Sequence, residues 1–255
     1  MTLTSFPALA LPQSHTSSID SLVRALVSRG RFGRRSSFCS HFLSPVRRSL
    51  QTPNFSPHLS CLPVTLILTA ADSSTLPPCR HSYDTSSALA LIDAAESFKS
   101  PAMILLFPLT LRHHRGIHFL RFILDVAHAA SVPIAVHLDH ATTVEDINMV
   151  LDFADQGVKF DSIMIDASHA PTPEENLQLV IPHIKRATQL GIPVEVELGR
   201  LEGGEAGLRV IDEGELTDPK VAEGFMRGSG AVVLAPSIGN LHGRYLKEPA
   251  FRLDM

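Results

Sequence analysis

The feature that most restricts this chain is a regular alternation, from about residue 77 onward, of short apolar runs with amphipathic stretches. The runs Pro101–Phe107, Ile134–His140, Ser162–Ser168, Pro193–Gly199 and Ala231–Ile238 have strand length and are rich in Val, Ile, Leu or Met. Their starts lie 33, 28, 31 and 38 residues apart, and helix signals fill the gaps. Thr142-Thr-Val-Glu145 reads as a capping box opening a helix, with Val144, Ile147, Leu151 and Ala154 on one face and Gly157 after its end. Thr172-Pro-Glu-Glu175 repeats the device with Pro at the first helical position, Gly191 closes that helix, and Asp218-Pro219 opens another. Ile117, Leu120, Leu124 and Ala127 step by three and four, so their segment is helical too. Pro182 falls inside the helix begun at Thr172, where it removes a hydrogen bond and should kink the helix at a cost of ~3 kcal/mol.

Near-continuous apolar strands separated by helices predict an α/β fold, a parallel sheet with helices covering it. The repeat length is that of the βα unit in a (β/α)8 TIM barrel, although spacing alone also allows an open sheet. From residue 77 to the end, 179 residues remain, room for five to six such units. The expectation is an open sheet or an incomplete barrel, with the last strands not contained in the sequence. From Met1 to about Leu62 the chain has seven Arg, no Lys and one acid, Asp20, in a Ser-, Pro- and Leu-rich background. That composition suits an organellar transit peptide or a disordered extension. We therefore divide the chain into an extension, 1–76, and a folded domain, 77–255. The compartment expected is cytoplasmic, or mitochondrial if the N-terminal stretch is a genuine transit peptide.

With 44% hydrophobic and 19% charged residues and 22 basic against 26 acidic side chains, the chain has no basic excess to suggest a nucleic-acid partner. Its longest apolar stretches, Leu62–Ala71 and Pro101–Leu111, are too short to span a bilayer, so no membrane partner is expected. Cys39, Cys61 and Cys79 are odd in number and far apart, which fits neither a disulfide framework nor a thiolate metal site. A metal here would be held by His, Asp and Glu.

Polar residues collect at the C-terminal ends of the apolar runs, the edge on which parallel α/β folds build their sites. The second run ends His137-Leu-Asp139-His140, and the third leads into Asp166-Ala-Ser168-His169. The fourth is Glu195-Val-Glu197-Leu-Gly199, and the fifth leads to Gly239-Asn-Leu-His242-Gly243. A side-chain period of two puts Glu195 and Glu197 on one face and Val194, Val196 and Leu198 on the other, with the carboxylates pointing into a barrel. A buried carboxylate is costly unless paired or metal-bound, and His140, Glu197 and His242 from three strand ends make a zinc ligand set. Taken singly, Asp166 reads equally well as a cap or a partner of a Lys, and Glu195 as a partner of a basic group. His81, His113, His114, His118, His128 and His183 read as ordinary exposed or hydrogen-bonded histidines, while His137 and His169 stay open.

Four segments together, Val132-Pro-Ile-Ala-Val-His-Leu-Asp-His140, Asp161-Ser-Ile-Met-Ile-Asp-Ala-Ser-His169, Glu195-Val-Glu-Leu-Gly-Arg-Leu-Glu-Gly-Gly204 and Gly239-Asn-Leu-His-Gly-Arg-Tyr245, resemble in order the signatures of the class II, zinc-dependent fructose-bisphosphate and tagatose-bisphosphate aldolases. The resemblance covers about residues 83 to 255 and implies a TIM barrel. It makes Asp139 the group that gives and takes the proton at the substrate hydroxyl beside the cleaved carbon–carbon bond. It makes His140 and His242 ligands of a catalytic Zn²⁺, and matches Asp166 and Glu197 to carboxylates that hold metal in an alternative or second position. Gly243 would offer backbone to the substrate phosphate. In the loop Gly203-Gly-Glu-Ala-Gly207, Glu205 is the candidate for the second proton transfer. The implied activity is zinc-dependent cleavage of a ketose bisphosphate, fructose 1,6-bisphosphate first, to dihydroxyacetone phosphate and an aldehyde, by a homo-oligomer with a sugar phosphate as its partner. The family's third zinc histidine and last strand do not occur before Met255. The rival expectation is therefore a catalytically inactive truncated homologue with at most residual metal binding.

Overall fold

The computed structural model describes residues 78–203 and 214–242. The expected extension 1–76 and the stretch Leu62–Ala71 lie outside the described residues, as do Glu205 and Gly243. Among the described residues, six strands form one parallel sheet in chain order: β1 (Cys79–His81), β2 (Ala102–Leu106), β3 (Ile134–Ala141), β4 (Ser162–Ile165), β5 (Val194–Leu198) and β7 (Val233–Pro236). A separate parallel pair joins β6 (Glu202–Gly203) to β8 (Leu241–His242). The connecting helices are α1 (Thr85–Ser97), α2 (Pro108–His113), α3 (Ile117–His128), α4 (Val144–Asp155), α5 (Pro173–Gln189) and α6 (Pro219–Ser229). Each strand pairs with the next through a helical crossover, which is the construction of a TIM barrel, and the fold is α/β, an incomplete barrel.

The register sorts the strand residues into two faces. Ile104 pairs with Val136, and Leu138 with Ile163 and through it Val194; these belong to one apolar cluster with Ile92, Leu120, Ile123, Leu151, Val180 and Phe225 of the helices. Burying each such side chain contributes about 1.5–3 kcal/mol. On the other face His81 pairs with Leu105, Leu105 with His137 and His137 with Ser162, while Met164 pairs with Glu195 and Glu197 with Ala235. Among the described residues, Met103, Leu105 and Ala135, with Cys79 against them, form a small apolar cluster here. This face carries the buried polar groups, and its C-terminal rim is where the candidate site lies.

The helix starts follow the local chemistry. Thr172 and Asp218 cap α5 and α6 as expected: the Thr172 hydroxyl accepts from Glu175 N–H, and the Asp218 carboxylate accepts from Lys220 and Val221 N–H. For α4 the cap lies one residue later than the sequence suggested. Thr143, not Thr142, is the N-cap: its backbone is extended and its hydroxyl accepts from Asp146 N–H. Asp146 is drawn into that role because its carboxylate also receives both arms of the Arg112 guanidinium, so the capped turn and α2 share one anchor. α1, which has no strong apolar period, begins with a capping box between Asp84 and Ser87. α5 runs through Pro182 as one helix. Pro182 and Gln178, whose carbonyl loses its partner, are both exposed, so water can satisfy the freed group. No helix among the described residues is long and apolar enough to cross a membrane.

Candidate active site

The site begins with an irregularity in β3. Regular alternation would send Asp139 and His140 to opposite faces. The register of β3 against β4 shifts between Leu138 and Ala141, and His140 has φ 47°, in the left-handed region. That conformation costs a non-glycine residue about 1–2 kcal/mol. It turns the His140 ring so that both neighbours reach the same rim. His140 Nδ1–H donates to Asp166 Oδ2 at 2.8 Å, while Asp139 Oδ2 accepts from His81 Nε2–H at 2.7 Å.

Asp166 stands at the end of β4. Its other oxygen accepts from the backbone N–H and the hydroxyl of Ser168, at 2.9 and 2.7 Å, so the carboxylate is fixed from both sides. Glu197, from β5, brings Oε2 to 3.7 Å from His140 Nδ1. The end of β5 is held in turn by Asn176 of α5, which donates to the Glu197 carbonyl at 2.9 Å, and by the Thr217 hydroxyl, which donates to the Leu198 carbonyl. Deeper in the sheet, His137 Nδ1 is hydrogen-bonded to Ser162 Oγ at 2.7 Å, and its Nε2 lies 3.5 Å from Glu195 Oε2. His140, Asp166 and Glu197 offer one ligand atom each within 4.8 Å of one another, and all three are buried.

Charge is crowded here. Burial opposes a charge on His140, but Asp139, Asp166 and Glu197 outweigh it and push the ring up to about 10. Burial would also raise Asp166, yet the hydrogen bonds from His140 and Ser168 bring it below the usual carboxylate range. Glu197 is pushed well above that range by burial and by the charge of Asp166, and Glu195 up to about 8 by burial and Asp139. Buried carboxylates that repel one another are what a divalent cation relieves. One imidazole and two carboxylates are ordinary ligands for a borderline ion such as Zn²⁺. With metal–ligand distances of ~2.0–2.2 Å, donors on one tetrahedral ion sit ~3.3–3.6 Å apart, so the three ligand atoms, within 4.8 Å of one another, would draw together by side-chain rotation around an ion.

The family profile described as fructose-bisphosphate aldolase class-II matches residues 65–255. The chain belongs to the class II fructose-bisphosphate aldolase family. Among its relatives, a protein of Coccidioides immitis (strain RS) provisionally named fructose-bisphosphate aldolase is 43% identical over 168 residues, 64% of this chain and 55% of that protein. The fructose-bisphosphate aldolase of Thermus caldophilus is 38% identical over 157 residues, 61% of this chain and 49% of the relative. A crystal structure from Coccidioides immitis, provisionally described as a fructose-1,6-bisphosphate aldolase, superposes with a TM-score of 0.67 at 41% identity, covering 73% of this chain and 64% of that one. The chain thus spans about half the length of the curated relatives it matches.

Within this aldolase-family fold, Asp139, His140, Asp166 and Glu197 come together on one rim as the strand-end pattern suggested. His242, on β8, sets its ring edge-on to that of His140, centroids 5.2 Å apart at 84°. It is carried there by the pairing with β6, where Gly203 (φ 102°) is obligatory: a Cβ would lie 1.8 Å from the His242 carbonyl oxygen. Of the two histidines the sequence left open, His169 is exposed and His137 is buried against Ser162 and Glu195. His81, read from the sequence as an exposed or hydrogen-bonded histidine, is hydrogen-bonded to Asp139, a partner the sequence did not point to, and stacks on Phe107, with centroids 4.4 Å apart and planes 5° apart.

Proposed function

We propose that this protein is a zinc-dependent aldolase that cleaves a ketose bisphosphate, with fructose 1,6-bisphosphate as the first substrate to test, into dihydroxyacetone phosphate and an aldehyde. The observation that carries the reading is the convergence of His140, Asp166 and Glu197 beside Asp139, in a chain of the class II aldolase family. Asp139 takes the proton from the substrate hydroxyl adjacent to the bond to be broken. That oxygen becomes the carbonyl of the departing aldehyde, and the electron pair of the broken carbon–carbon bond stays on the ketose fragment as an enediolate. Zn²⁺, when bound, supplies Lewis-acid stabilisation of that charge in place of a covalent Schiff base.

His140, with His242 beside it, and the carboxylates of Asp166 and Glu197 are assigned to holding the metal. Burial of this rim keeps water from the charged groups, so their interactions are stronger than at an open surface. Glu205 is assigned the second proton transfer and Gly243 a backbone contact to phosphate. The aldolase domain is placed at 77–255.

The test is a coupled fructose-1,6-bisphosphate cleavage assay on the full chain, folded by circular dichroism, with Zn²⁺ and with EDTA. Turnover should depend on zinc. Asp139→Asn should lower kcat by roughly 10²–10⁴, the usual contribution of a positioned acid–base group. A folded, zinc-supplied chain with no turnover overturns the reading.

A further inference from the structure

We propose that His81 is a positioning residue for the reaction, holding the Asp139 carboxylate in one orientation through the ring that β1 delivers to the rim. The inference rests on the proton-transfer role given to Asp139 above. His81 ends the edge strand β1, and register puts it beside Leu105 and His137 on the polar face of the sheet. Its Nε2 is 2.7 Å from Asp139 Oδ2. A carboxylate only accepts, so Nε2 carries the proton and the tautomer of the ring is fixed. The bond is charge-assisted at its acceptor, and the Asp139 side chain is only 4% exposed, so little water competes for that oxygen.

The ring is itself held. Phe107, buried at the end of β2, lies almost parallel to it, with centroids 4.4 Å apart. The other side of the contact network reaches the metal-ligand candidates, because the Phe107 ring also lies near-parallel to that of His140, at 6.3 Å and 16°. Phe107 thus stacks directly on the His81 ring and is also a near-parallel neighbour of the His140 ring. One ring is aimed at the proton-transfer carboxylate and the other at Asp166 and Glu197. A histidine that merely filled space would need no partner within hydrogen-bond distance, and a surface ion pair would not sit on a buried carboxylate. What the arrangement does is restrict rotation of Asp139 about its side-chain bonds, so that the oxygen facing the substrate hydroxyl stays where proton transfer needs it.

Two variants separate packing from the hydrogen bond. His81→Phe keeps a ring to stack on Phe107 and deletes the donor. His81→Gln restores a donor at about the reach of Nε2. Removing an outer partner of this kind usually costs about 10- to 100-fold. In the zinc-supplied full chain, His81→Phe should lose that much kcat with KM held within about twofold, and His81→Gln should recover most of it. A readout free of turnover uses the full chain with ¹⁵N-labelled histidine. The His81 Nε2–H signal, assigned by its loss in His81→Phe, should be slow to exchange and should shift upfield when Asp139→Asn removes the charged acceptor. An unchanged His81 signal in Asp139→Asn overturns the contact. Wild-type kcat in His81→Phe, with Asp139→Asn inactive, overturns the positioning role and leaves the proposed reaction standing. Full turnover in Asp139→Asn overturns the proton-transfer reading itself.

Discussion

His140 takes a backbone conformation that few side chains adopt, and the strain has a visible return: two consecutive residues of one strand serve one rim. Gly199, where β5 leaves the sheet, shows the same tightness without a side chain. At φ 90° a Cβ would stand 2.7 Å from the Glu215 carbonyl oxygen and 2.8 Å from both Thr217 Oγ1 and Ser237 Cβ. Two of those atoms are ordered by hydrogen bonds, since Ser237 N–H donates to the Thr217 hydroxyl at 2.8 Å and Arg200 N–H donates to the Glu215 carbonyl at 3.0 Å. Gly199→Ala is therefore expected to destabilise the protein by about 2–3 kcal/mol, as strain at a positive φ adds to overpacking. Urea unfolding of the variant would show it, and a loss under ~0.5 kcal/mol would contradict the geometry. Two histidines away from the site should titrate with opposite signs. The His128 ring bonds Asp161 at 2.9 Å, chiefly for which its pKa is raised, so its stabilisation is full below the ordinary value of 6.5 and fades as pH rises through the folded value. Burial, helped by Arg186, lowers His183, so that group removes stability as pH falls through its folded value. His128→Gln should lose a few tenths of a kcal/mol at about pH 6 and nothing near pH 9, a small effect because the ring is 43% exposed. His183→Gln should gain on the acid side only. Denaturation midpoints across that range decide both, and the same sign for both variants would refute the assignment. Strand-end polarity pointed to the rim on which Asp139, His140, Asp166 and Glu197 meet, but by itself it proposed only His140 and Glu197, with His242, as ligands; Asp139 and Asp166 took their expected roles from the family resemblance. Strand-end polarity could not find His81, because its partner is 58 positions away and β1 is three half-buried residues with no apolar run.

The strands and helices were legible where burial leaves a period. Each of the five apolar runs coincides with a strand to within three residues at its ends, because central parallel strands are buried on both faces and tolerate few polar interruptions. α5 and α6 start where their Thr and Asp caps predict. α1 escaped notice because its buried face is Ala88, Ile92 and Ala95, two of them too small to give a strong apolar signal. Pro182 is the clearest conflict between an element and its sequence. α5 is 17 residues long, holds Val180, Ile184 and Ala187 against the core, and continues because that packing outweighs one missing bond. Pro182 and Gln178, whose carbonyl it leaves without a helical partner, are both exposed residues and not part of the buried face of α5. Pro182→Ala should stabilise the protein by about 1–3 kcal/mol, the helix-interior penalty of proline less what its rigidity contributes in the unfolded chain. An unchanged or lowered urea midpoint would mean that the proline ring itself contributes to seating the second half of α5.

The candidate metal ligands come from three different strands, His140 from β3, Asp166 from the end of β4 and Glu197 from β5, and they meet only when the sheet is assembled. Binding a cation at that point is therefore coupled to folding, since the unfolded chain offers no comparable set. The coupling works on groups whose burial is otherwise unfavourable: a cation converts the repulsion between Asp166 and Glu197 into attraction to a shared centre. Zn²⁺ at about 100 times its dissociation constant should then raise the unfolding free energy by about 2.7 kcal/mol, and EDTA should reverse it. His140→Ala should remove the zinc-dependent part. Several other histidines lie on the surface, so a residual shift common to all variants measures their binding and is subtracted. Asp139→Asn, which leaves the three ligands in place, should keep the full increment while losing turnover, and that contrast separates holding the metal from moving the proton. An increment that survives in both His140→Ala and Glu197→Ala would place the cation elsewhere, and the site would then have to be rebuilt from other residues of the rim.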